Sequence, residues 1–198
     1  MKKLLIMNLI GPCAVSLLTL LSSATFAQDS LIDLIRDGQR DAALAAISAP
    51  DTDINASTED GATALHWATY SEDHELVEAL LDAGAVADTT NLYGSTPLTE
   101  AVKLGDVALV KLLLDAGADP DSPNQDNQTA LMLASYIGSL EIAEMLIAKG
   151  ADVNAVETFR GQTALMWASA ENNPYVAELL LENGADVHVK AAHDDWPR

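Results

Sequence analysis

A short pattern returns four times along this chain at a nearly constant interval. Thr63, Thr96, Thr129 and Thr163 are spaced by 33, 33 and 34 residues, and Gly84, Gly117, Gly150 and Gly184 keep the same intervals. Each Thr is followed by Ala or Pro, then Leu, then Ala three residues on; each Gly is followed by Ala. A fixed period of this length specifies stacked supersecondary units, each in contact with its neighbours, rather than one globular core. The fold class expected is an all-α repeat solenoid, with function held on an extended surface.

The copy from Tyr93 to Gly117 shows how one unit is built. Gly94 stands where a tight turn needs positive φ; Gly61 and Gly161 hold the same place in other copies, and Asn127, the next most tolerant residue, holds it in the remaining one,. Thr96 caps a helix whose first residue is Pro97, where a missing N–H does no harm. Leu98 and Ala101 fall on one face of that short helix, and Gly105 ends it. A second helix carries Val107, Val110, Leu113 and Leu114 on its apolar stripe and stops at Gly117. Two helices this short do not stand alone in water, so each unit needs its neighbours.

Gly61-Ala62-Thr63-Ala64-Leu65-His66-Trp67-Ala68, Gly94-Ser95-Thr96-Pro97-Leu98 and Gly150-Ala151-Asp152-Val153-Asn154-Ala155 carry a family likeness. The chain resembles the ankyrin repeat proteins. That resemblance implies an ankyrin-type stack of helix-turn-helix units with β-turn or hairpin fingers. The units expected are residues 60–92, 93–125, 126–158 and 160–192. Residues 28–57 form a degenerate N-terminal capping repeat and 193–198 a C-terminal tail. The family's motif histidine, which supports the turn, survives only as His66; Thr99, Met132 and Met166 replace it. The extra residue of the 34-residue interval falls in the hairpin around Val156 to Arg160.

The same resemblance implies a partner-binding concave face made of hairpin tips and the exposed side of each first helix. Carried onto this sequence, the face holds Tyr70, Leu92, Tyr93, Lys103, Tyr136, Phe159 and Arg160 as the candidate binding residues. Tyr offers large contact area with few rotatable bonds, which interface anchors favour. Covering the grooves between repeats is the competing role for these rings. Trp67 and Trp167 read as packing residues inside the first helices. Glu75, Glu78, Asp82, Asp115, Glu141, Glu144, Glu178 and Glu182 read as the solvated outer side.

The N-terminus has a different logic. Lys2 and Lys3 precede an apolar run from Leu4 to about Leu21, small residues lead to Thr25-Phe26-Ala27, and the first acid of the chain is Asp29. This is the layout of a secretory signal peptide over residues 1–27, with an uncleaved anchor as the rival. Pro12 before Cys13 argues against a lipoprotein. Cleavage would remove the only Cys, and the short Lys-Lys start suits export to the periplasm of a Gram-negative bacterium or secretion. The chain carries 30 acids against 10 bases, and the exported part is more acidic still. Such a surface repels nucleic acid and anionic lipid and attracts a basic protein partner or divalent cations. It also keeps an apolar stack soluble.

No nucleophile motif, phosphate loop or paired-cysteine site is present, and no cofactor or catalytic residue is assigned. His66, His74, His188 and His193 lack ligand-like helical spacing, so no metal site is expected. Asp119 to Asn127 is rich in oxygen ligands but lacks the central Gly of a calcium loop. Asn55-Ala56-Ser57 and Asn127-Gln128-Thr129 match a glycosylation acceptor pattern that matters only in a eukaryotic source. The expectation is a non-enzymatic, monomeric interaction scaffold. The alternative is the recognition part of a larger secreted enzyme or receptor, because no polar closing helix follows the last repeat. A third expectation is that Trp196 and its neighbours fold back to close the stack.

Overall fold

The computed structural model describes residues 30–191. The expected signal segment and the tail bearing His193 and Trp196 lie outside the described residues. The described chain forms ten helices: α1 (Leu31–Arg36), α2 (Arg40–Ile47), α3 (Ala64–Tyr70), α4 (His74–Asp82), α5 (Pro97–Leu104), α6 (Val107–Asp115), α7 (Ala130–Ile137), α8 (Leu140–Ala148), α9 (Ala164–Ala170) and α10 (Pro174–Glu182). Among them none is long and apolar enough to cross a membrane.

The helices stack in two layers. The first helices of the pairs pack in the order α1, α3, α5, α7, α9, and the second helices in the order α2, α4, α6, α8, α10. Small residues set the approach: Ala68, Ala101, Ala134 and Ala168 are fully buried, as are Leu80, Leu113, Leu146 and Leu180 on the second layer. Burial of this recurring set supplies the main stabilisation. Leu31, Ile32 and Ile35 bring the α1–α2 pair onto the same core.

Local chemistry ends each helix where the pattern indicated. Thr96 accepts the Thr99 amide at 3.2 Å, Pro97 follows, and Gly105 closes α5 in the left-handed conformation. Thr99, standing where the family histidine would be, receives the Thr96 N–H at 2.9 Å on its own hydroxyl. His66 does the same work by a longer route. Its Nδ1 receives the Thr63 N–H at 3.2 Å and its Nε2–H donates to the Ser95 carbonyl of the next repeat at 3.1 Å. Met132 and Met166 make no such bonds, so the copies differ in how tightly the turn is held.

The fingers are turns, closed by Thr58 N–H to Ala62, Asn91 to Ser95, Asn124 to Gln128 and Glu157 to Gln162. Among the described residues the one bridge recorded is Ser57 to Thr63. In two of the three five-residue fingers an Asn side chain fills the turn: Asn91 Oδ1 accepts from Tyr93 and Ser95, and Asn124 Oδ1 from Asp126 and Gln128, all at 2.9 Å. The last finger is one residue longer, and there a longer acid replaces Asn. Glu157 is buried and accepts from Phe159 at 2.6 Å, Arg160 at 2.8 Å and Gln162 at 3.0 Å.

On the loops between units, a side chain at every thirty-third residue grips the following repeat. Asn55 accepts the Val86 amide at 2.9 Å, Asp88 that of Asp119 at 2.7 Å, Asp121 that of Asp152 at 2.9 Å, and Asn154 that of Asp186 at 2.7 Å. The second layer is stitched differently. Asp73 and Asp106 cap α4 and α6 and pair with Arg40 at 3.1 Å and His74 at 2.8 Å of the preceding unit.

Burial at equivalent positions is uneven along the stack. Thr69, Val102 and Ser135 are fully buried, whereas Ser169 is exposed. Leu65, Leu98 and Leu131 are buried, whereas Leu165 is only partly covered, and Leu181 is 48% exposed where Leu114 is buried.

Candidate protein-binding surface

The turns and the first helices together make one face, called the tip face below. Successive tips are tied across the repeats. The Leu92 amide donates to the Asp60 carbonyl at 2.7 Å, Gln125 donates to the Leu92 carbonyl, and Thr158 donates to Asp126 at 2.8 Å. These bonds hold the tips in a row and so fix the spacing of whatever they display.

Four rings project from this face: Tyr70 is 65% exposed, Tyr93 74%, Tyr136 52% and Phe159 71%. Groove covering leaves that much ring in solvent unexplained. Among the clefts between neighbouring repeats, three gather the tyrosines. The first, of about 300 Å³, gathers Tyr70 and Tyr93 with Trp67, His66, Asp60 and Glu100. The second, of about 260 Å³, brings Tyr93 to Lys103, Thr99 and Leu133. The third, of about 240 Å³, brings Tyr136 and Arg160 to Trp167 and Glu171. Leu92 and Phe159 line none of these three. Phe159 instead lies under the Arg160 guanidinium, 5.6 Å from the ring centroid.

The two tryptophans pack against the core and at the same time form cleft walls. Trp67 meets Tyr70, one turn on along α3, edge-to-face with centroids 6.2 Å apart,. Trp167 meets Tyr136 of the preceding repeat in the same manner at 5.9 Å,. Sequence reasoning missed both as cleft residues. The signal was the position itself, which reads Trp67, Glu100, Leu133 and Trp167 in successive copies and so varies where packing residues recur.

Charge on the face is placed by short polar networks. Lys103 is met by Glu100 at 3.1 Å and by the Ser95 hydroxyl at 3.3 Å, so its stem rather than its charge is on offer. Asp60 is held below the ordinary carboxylate range, first by the Thr58 hydroxyl and then by the Ala62 N–H, and is ionised at neutral pH. Burial pushes the His66 imidazole below its ordinary value of 6.5, so it sits neutral, as its two bonds require,.

Among the described residues no group of three or more His, Cys, Asp or Glu is arranged to hold a metal ion. The oxygen-rich stretch from Asp119 uses its side chains on its own turns: Asp119 accepts from Asp121, and Asn124 from Asp126 and Gln128. The outer acids expected on the second helices, from Glu75 to Glu182, are exposed. No curated protein matches this chain. A family model described as ankyrin repeats in three copies matches residues 31–124 and again 100–191, well over half of the sequence. The repeated capped helix pairs, the tied tips and this match together make the chain a member of the ankyrin repeat family.

Proposed function

We propose that this protein is a non-catalytic binding module, exported to the periplasm, that holds a protein partner on its tip face. Ankyrin repeats in general are protein–protein interaction modules. The observation that carries the reading here is the exposure of Tyr70, Tyr93 and Tyr136 beside clefts on tips held in one row. Rings of this kind, rigid and amphipathic, supply much of the binding energy at protein interfaces. Leu92, Lys103, Phe159 and Arg160 extend the contact area along the same face. Export is supported by the Lys2-Lys3 start, the apolar run after it and Ala27,.

The test is a pull-down from periplasmic extract with the natural chain and with the triple variant Tyr70→Ala, Tyr93→Ala and Tyr136→Ala. Loss of a specific partner from the variant, with unfolding unchanged, supports the reading. A partner retained in full by the variant overturns it. Fractionation with intact-mass measurement tests export, and the product expected begins at residue 28.

A second reading is favoured by the partly covered Leu165 and the 48% exposed Leu181, where Leu131 and Leu114 are buried. In it the module is the recognition part of a larger secreted enzyme or receptor. A native mass equal to residues 28–198 removes that reading.

A further inference from the structure

Positions 67, 100, 133 and 167 are equivalent and hold Trp, Glu, Leu and Trp. The stack keeps its packing with an aliphatic side chain or an acid at this place, so the repeat itself does not require an indole. The indole is also an expensive choice. The Nε1–H groups of Trp67 and Trp167 are covered and have no acceptor among the described residues, and a covered donor left unpaired is destabilising,. Packing alone therefore does not account for these two residues, and each also lines a cleft.

We propose that the Trp67 cleft receives an arginine side chain from a basic segment of the partner, the guanidinium lying against Tyr70 and Tyr93 and bonding to Asp60. This inference rests on the protein-binding reading and names the chemistry of one contact in it. Ring faces attract cations, and Arg most of all when it lies flat. Trp67 already shows the affinity within the chain, since the Arg36 guanidinium lies 5.1 Å from its ring centroid. Arg36 lines an adjacent cleft that shares Asp60 and Trp67, and it is not among the residues lining the Tyr70–Tyr93 cleft.

Asp60 is prepared for a cation. The bonds from Thr58 and Ala62 both end on Oδ1. Its carbonyl is anchored by the Leu92 amide, so the carboxylate is fixed in position before anything binds. A preset acceptor beside an aromatic wall suits the flat, forked guanidinium better than the rounder ammonium of Lys. The formal charge of −20 on the chain draws a basic segment toward the face and turns acidic ones away,.

The third cleft provides the contrast. It repeats the Trp–Tyr edge-to-face pair, yet Arg160 lines it where Asp60 lines the first. The two clefts share their rings, and Arg160 adds a positive charge to the third where Asp60 adds a negative one to the first.

The experiment is an NMR titration of the full chain with the peptide acetyl-Gly-Ser-Arg-Ser-Gly-amide, following the tryptophan indole signals. The same peptide with citrulline, a neutral isostere of arginine, is the control. The expected result is a saturable shift of the Trp67 signal with the arginine peptide alone. Asp60→Asn weakens binding about tenfold, Trp167→Leu leaves the Trp67 shift unchanged, and Trp67→Leu abolishes the saturable shift of the peptide's own arginine signals. Leu already occupies the equivalent position 133, so the helix pair accommodates Leu at 67 and 167, and thermal unfolding of each variant checks that the stack is intact. An equal response to citrulline, an equal loss from Trp167→Leu, or no saturable shift up to about 10 mM overturns the proposal. If the arginine peptide fails while the triple Tyr variant loses its partner, the arginine assignment alone falls. If the peptide seats at Trp67 while that variant keeps its partner, the tip-face reading falls instead.

Discussion

Asp121 accepts the backbone N–H of Asp152 through both carboxylate oxygens, at 2.9 and 3.0 Å. The grip joins two repeats, but it places one acid against the start of a loop led by another. Burial raises the Asp121 carboxyl above its ordinary value, and the charges of Asp119 and Asp152 add to the rise. Asn55 and Asn154, the counterparts, make the same bond and also donate to the Gly84 carbonyl at 3.2 Å and the Gly184 carbonyl at 3.0 Å. An ionised Asp has no proton to give.

Asp121→Asn is therefore expected to stabilise the protein by about 1 kcal/mol at neutral pH, a gain of one hydrogen bond and a loss of repulsion. A carboxyl whose folded pKa is raised binds its proton more readily in the folded state. Its penalty is full above that pKa and fades as pH falls toward the unfolded value. The advantage of the variant should shrink over the same range. Thermal unfolding at several pH values measures both effects.

His66 works in the other direction. Its folded pKa lies below the unfolded value of 6.5, so the stability it contributes is complete above that pH and is lost as pH falls through the folded pKa,. His66→Met, which copies positions 132 and 166, is expected to be less stable by about 1 kcal/mol at neutral pH. It should also lose the part of the acid slope that begins near 6.5. Urea unfolding of the two proteins between neutral and mildly acidic pH compares those slopes.

Glu157 and the extra residue of its finger should behave as one unit. Glu157→Asn shortens the side chain that holds three amides, and a loss of about 2 kcal/mol is expected. Deleting Phe159 alone leaves a long acid in a short turn. Making both changes restores the five-residue form of the Asn124–Gln128 finger, and the pair should be less damaging than the sum of its parts. A double-mutant cycle on unfolding free energies reads that coupling.

Gly94 and Gly117 both have positive φ, at 73° and 91°. A Cβ on Gly94 would meet the Gln125 amide nitrogen at 2.6 Å and Asn124 Cα at 2.8 Å, while one on Gly117 meets nothing within 4 Å. Gly117→Ala is expected to cost about 1 kcal/mol from the backbone alone. Gly94→Ala should cost at least twice that, because the next finger must move. Chemical denaturation of the two variants ranks them.

Most of the helical stack was legible because its signals are local and repeat. Thr96 before Pro97, Gly105 after Leu104 and the buried Ala recurring once per repeat follow from neighbours within one unit. Asn127 was legible as a turn residue, and its φ of 59° agrees. Its second role was not, since the side chain donates to the Val156 carbonyl 29 residues away at 2.7 Å. The grips by Asp121 and Asn154 were invisible for the same reason: they join residues one period apart. Glu157 reads as an ordinary surface acid until the longer finger closes around it. The tyrosines of the candidate face were found as a group, but the walls behind them depend on rings from adjacent repeats meeting in space.

The uneven cover of equivalent positions sets the order in which the molecule comes apart. Repeats of this kind melt like a zipper, each held by its own helices and by one or two neighbours. Among the described residues, Ser169, Leu165 and Leu181 are less covered than Ser135, Leu131 and Leu114. Opening should therefore begin at α9 and α10 and run toward the middle of the stack. Amide hydrogen exchange would show this as a gradient, with protection greatest around α5 to α7 and falling toward α10. The Tyr136–Trp167 cleft spans the joint that opens first, whereas the Trp67–Tyr93 cleft sits where the stack is held from both sides. One face thus carries a pliable contact and a firm one, and the firm one is where a partner would register first.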